Sequence, residues 1–206
     1  MEYSDPKGFP VPLTNGGFDE KGVAVRDVWA DSKTQLWDLT PTPQLGSYHS
    51  ETAIVMMGIA DTARESAEID CDLIAKNGYT DYGGDSYLIA DKNEGRVVGE
   101  SAGGQKLWAA QRLIMDKVRV LYPGYIVDSP KDHVPNTTAA GDYLGSPNIV
   151  SCAIKQGRRN PSDSELFKFF KTCDLQRRYA ARHGGFRYLA QAALEEATLA
   201  TVLNKI

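Results

Sequence analysis

The chain has 206 residues, 42% hydrophobic and 24% charged, a balance that suits one globular domain built on a single sizeable core. Its 27 acidic residues outnumber 23 Lys and Arg, so the net charge is -4 and no basic field exists to hold a phosphate backbone; nucleic acid is excluded as a partner. No apolar run reaches the roughly 18 to 20 residues that span a bilayer, and the opening MEYSDPKGFP lacks the basic and apolar regions of a secretory signal, so the expected location is cytoplasmic, without membrane contact.

Residues 1–20 carry repeated Pro and Gly and read as an irregular lead-in segment. KGVAVRDVW, 21–29, alternates around Val23 and Val25 and predicts a buried strand, and Pro41 and Pro43 then mark a loop. DTARESAEIDCDLIAKNG predicts a helix. Thr62 and Glu65 have the spacing of a capping box, Gly78 follows as a left-handed stop, and Ala63, Ala67, Cys71 and Ile74 share one face. Cys71 is thereby expected in the core.

SYLIAD, 86–91, and RVVGES, 96–101, flank the turn KNEG and predict a hairpin; QKLWAAQRL supplies a third strand and KVRVLYPGYIVD a fourth, in a local antiparallel sheet. Residues 128–145 read as a long loop. Pro147 suits the first turn of a helix with Ile149, Val150, Ala153 and Ile154 on one face and Cys152 within it. Ser162 and Glu165 repeat the capping-box spacing ahead of Leu166, Phe169, Phe170 and Cys173, and a last helix closes the chain from Phe186. Arg177, Arg178, Arg182 and Arg187 read as a solvated basic face.

Three widely spaced cysteines and the isolated histidines His49, His133 and His183 show no metal-ligand spacing, so no metal site is expected. Strands segregated from helices predict an α+β fold.

The segments FDEKGVAV, TARESAE, GGDSYLIADKNEGRVVGESAGGQKLWAAQRL, GSPNIVSCAIKQG and RRY follow the order seen in the cysteine-type dipeptidases of the dipeptidase A and secernin group, which the chain resembles over about residues 12–180. The resemblance implies the αββα fold of the N-terminal-nucleophile hydrolases, two stacked antiparallel sheets between outer helices, here partial. It also implies cofactor-free cleavage of dipeptides or small amides by a cysteine that begins the mature chain. Such a thiol hands its proton to its own α-amino group, whose pKa is about 8, and the thioester is cleared by water.

The match departs from the family at that point. Removal of Met1 exposes Glu2, and Cys71 and Cys152 both fall in predicted helices, so the nucleophile is expected off this chain and the 206 residues by themselves inactive. Tyr122 and Pro123 stand where relatives place an asparagine, and the single domain 1–206 reads as truncated relative to the family.

By the same resemblance Asn15 reaches a position from which its amide can face an oxyanion, although an Asn-Gly turn explains it equally. Asp85, Ser86 and Glu100 line the hairpin as substrate-binding groups; Glu100 is expected either to receive a peptide ammonium or to pair with Arg112 across the sheet, and Trp108 to be core. The alternative function is a catalytically inactive relative that binds small peptides or assists assembly. Lost strands would expose a sheet edge, so a homo-oligomer or a complementary chain is the expected partner besides the substrate.

Overall fold

A computed structural model of the protein describes residues 15–80, 83–113, 121, 124–125, 127, 141–165 and 167–175. They form an α+β fold around one antiparallel sheet, whose six strands are β1 (Gly16–Phe18), β2 (Ala24–Trp29), β3 (Gly84–Ala90), β4 (Gly95–Ser101), β5 (Trp108–Leu113) and β6 (Tyr143–Gly145). Chain order and spatial order coincide: each strand pairs with its predecessor and its successor, as in a meander. The helices are α1 (Thr34–Trp37), α2 (His49–Ile59), α3 (Ala63–Asn77), α4 (Ile149–Lys155) and α5 (Phe169–Cys173).

Strand alternation divides the apolar side chains between two cores. On one face Val25, Tyr87, Ile89, Val98 and Trp108 meet Met56 of α2 and Ala67, Cys71 and Ile74 of α3. On the other, Val97 and Ala109 meet Leu36, Tyr125, Cys152 and Phe169. The hairpin reads as predicted, with Asp91 accepting from the amides of Asn93 and Glu94 to close the turn between β3 and β4. The same carboxylate accepts from Ala63 N, 2.7 Å away, and so ties the start of α3 to the sheet. Thr62 caps α3 through Glu65 N as its spacing predicts, although the Glu65 carboxylate returns to Asp61 N rather than to the cap residue.

Several expectations are corrected. Pro41 and Pro43 lie in a loop as read, but helices α1 and α2, which flank that loop, were not foreseen. The loop 128–145 gives way at its end to β6, which pairs with β5 from Ala109 to Gln111. The helix capped by Ser162 and Glu165 does not form, and α5 is confined to Phe169–Cys173. Asn160 and Asp163 tie this stretch into turns through Ser162 N and Asn160 N, and Arg159 takes the carbonyls of Asp163 and Glu165 that a helix would need. In α4 the buried set is Ile149, Cys152 and Ala153, with Val150 and Ile154 only partly covered. The segment KVRVLYPGYIVD falls largely outside the described residues, as do the final helix, the basic cluster from Arg177 and the first fourteen residues of the lead-in. Among the described residues, no helix is long and apolar enough to cross a membrane.

Candidate functional site

The site begins with an interrupted pattern in β2. Val23 and Val25 alternate into the first core, and the next inward position is Asp27, 6% exposed. Backbone pairing continues past β1, where Asp27 N donates to Asn15 O at 2.9 Å. The two side chains then meet: Asn15 Nδ2 donates to Asp27 Oδ2 at 3.1 Å, while Asp27 Oδ1 has no hydrogen-bond partner. Burial pushes the Asp27 carboxyl up, against the opposing pull of His49 and the Asn15 amide.

His49 reaches the site because of how α2 starts. The Tyr87 hydroxyl, rising from the middle of β3, donates to the His49 carbonyl at 2.6 Å and pins the first turn of the helix to the sheet. Asp85 lies two residues earlier on the same face of β3, opposite Trp29 on one side and Glu100 on the other, with its Oδ1 accepting from Ser86 N at 2.7 Å. One ligand-type atom from each of Asp27, His49 and Asp85 lies within 4.8 Å of the others. The two aspartates are buried, His49 is partly covered and Asn15 is exposed, so the group is open at one rim.

Deeper on this face, Glu100 of β4 and Asp70 of α3 are both wholly buried, and none of their four carboxyl oxygens has a partner in ordinary hydrogen-bond geometry. Burial and the adjacent Asp70 push Glu100 well above the usual carboxylate range, with Asp85 adding to the effect, and burial brings Asp70 to about 6. Of this pair Glu100 is the member that keeps the proton, and a protonated carboxyl beside a carboxylate is the state in which two such groups can coexist.

The expected pairing of Glu100 with Arg112 does not occur. In the β4–β5 register Glu100 faces Trp108, and Arg112 lies opposite Arg96. Both arginines converge on Glu94, Arg96 Nε at 2.6 Å from Oε1 and Arg112 Nε at 2.8 Å from Oε2, which relieves their cross-strand repulsion near the turn. Trp108 is core, as expected.

Of the sequence-derived residues, Asn15 and Asp85 belong to the open group and Glu100 lies behind it. Ser86 turns to the opposite face, where its hydroxyl donates to Gly124 O at 3.1 Å beneath Tyr125. There the Tyr125 hydroxyl bonds Ser32 Oγ at 2.8 Å and donates to the carbonyl of Glu100 at 2.7 Å, in space that a side chain on Gly84 (φ +111°) would invade. Sequence reasoning missed Asp27, His49 and Asp70. The signal for Asp27 was present, a carboxylate in step with Val23 and Val25; for His49 there was none.

All three cysteines are unpaired and buried. Burial, reinforced by Asp70 and Glu100, pushes the Cys71 thiol well up, and burial raises Cys173 despite the neighbouring Arg158 guanidinium. Fold and site together define an α+β protein with an antiparallel sheet bearing an acidic, histidine-containing site at one rim. No known protein family and no curated protein matches the chain.

Proposed function

We propose that the chain is the substrate-holding part of an amide hydrolase that acts on dipeptides or small amides by cysteine N-terminal-nucleophile chemistry, its fold one half of an αββα sandwich. The three cysteines of these 206 residues are buried, so none of them serves as the attacking thiol in this reading. The observation that carries the reading is the open rim formed by Asn15, Asp27, His49 and Asp85. Two buried carboxylates there attract a peptide ammonium, and the Asn15 amide spends one N–H on Asp27 and keeps a second for a carbonyl or oxyanion. The antiparallel sheet with helices against it is compatible with that architecture. Glu100, sealed against Asp70 and holding a proton, makes no direct contact with substrate.

The burial of all three cysteines favours a second reading, a small-peptide-binding module without turnover. Both readings require recognition of a free ammonium. Calorimetric titration with an unblocked dipeptide and its N-acetylated counterpart tests this: the unblocked peptide should bind at least tenfold more tightly, and Asp85→Asn should remove most of the difference. Equal affinities, or no binding of either, would overturn the reading.

A further inference from the structure

The rim site has a composition that points beyond peptide recognition. Two carboxylates and an imidazole converge with their ligand-type atoms within 4.8 Å of one another. Ligands around a four-coordinate ion at metal–ligand distances near 2.1 Å lie roughly 3.4 Å apart, so the three groups need only small side-chain rotations to reach that spacing. A second observation is independent of this convergence. Asp27 is 6% exposed, and its Oδ1 faces no donor, although the other oxygen is held by Asn15. A buried carboxylate oxygen without a partner is costly, and the cost disappears if the oxygen ligates a cation.

The surroundings follow the logic of a metal centre. Asn15 fixes the Asp27 carboxylate through Oδ2 and leaves Oδ1 available to a cation, as outer-sphere donors do. The Tyr87 hydroxyl holds the backbone of His49 and thereby the helix turn that carries the imidazole. We propose that Asp27, His49 and Asp85 bind a divalent transition-metal ion, Zn2+ or Mn2+, with Asn15 as a positioning residue. An imidazole alongside two carboxylates suits these ions better than Mg2+, which prefers oxygen ligands alone.

The test is titration of the full chain with Zn2+ and, separately, Mn2+, followed by calorimetry and by the electron paramagnetic resonance of free Mn2+. The expected result is one saturable site, weakened at least tenfold by Asp27→Asn and by His49→Gln and about tenfold by Asn15→Ala, with circular dichroism unchanged. His49→Gln lies at a partly covered helix start, and Asp27→Asn replaces a buried charge by an isostere, so at least one of the two should yield a folded variant. Absence of saturable binding for both ions, or binding undiminished in whichever of these variants folds, would overturn the proposal. No peptide enters the experiment, so failure of the dipeptide reading leaves this inference standing, and its own failure leaves that reading intact.

Discussion

At the scale of single residues, the facing carboxyls of Asp70 and Glu100 set a pH dependence whose sign is fixed by their burial. A carboxyl raised on folding binds its proton more tightly in the native state. Its contribution is complete below the unfolded value, close to 4, and is lost as pH rises through the folded value, about 6 for Asp70. The groups that bear on the pair from neighbouring elements are Asp85 and Tyr87 of β3 and Cys71 of α3. Asp70→Asn removes one of the two charges and offers Glu100 an amide donor. Urea unfolding with a chelator present should find the variant stabilised at pH 8 by on the order of 1–3 kcal/mol, with a shallower fall in stability between pH 5 and 8 than the native chain. Parallel pH profiles for the two proteins would show that Asp70 does not titrate in this window. The presence of Glu100 in apolar company was legible in the sequence. Its partner was not, because Asp70 comes from a helix whose packing against β4 no local pattern encodes.

At the scale of elements, the contrast between α3 and α2 shows what sequence can specify. Thr62, Gly78 and the stripe Ala63, Ala67, Cys71 and Ile74 define α3 from within. In α2 the apolar residues Ala53 to Met57 run consecutively, and only Ala53 and Met56 of that run are buried, so no stripe announces the helix; tertiary packing selects its inner face. The hairpin was legible for the opposite reason, since its turn chemistry is contained in four residues. Asp91 joins these two well-specified elements. Burial tends to raise its carboxyl, but the amides of Ala63, Asn93 and Glu94 outweigh that and hold it below the usual range. Asp91→Ala should therefore cost about 1–2 kcal/mol at neutral pH, the range for losing a helix cap. Because a depressed carboxyl contributes fully above its unfolded pKa of about 3.9 and progressively less as pH falls through its folded value, the difference from native should shrink toward nothing in strong acid. Chemical denaturation of both proteins at pH 7 and pH 2.5 measures this.

At the scale of the whole molecule, the cysteines are distributed between both cores, Cys71 on one side of the sheet and Cys152 and Cys173 on the other. A chromogenic disulfide reagent should consequently react slowly with the native chain and promptly with three thiols in denaturant, and dipeptide binding should survive brief treatment with iodoacetamide. Rapid native labelling coupled to loss of binding would indicate that one of these thiols lies at the functional surface. The α+β class and the antiparallel pairing were readable from alternation and turns alone. The rim site was only half readable: Asn15 and Asp85 sit in recognisable segments, whereas Asp27 and His49 join them through strand register and helix docking, which are properties of the assembled sheet.

The coincidence of chain order with sheet order also bears on how the protein is made. Among the described strands, each that leaves the ribosome finds its one required neighbour already at the free margin, and none is wedged between two that preceded it. Pairing can proceed step by step during synthesis, so the stretch most exposed to mistakes is the long connection from β2 to β3, which must wait for its helices before the sheet can resume.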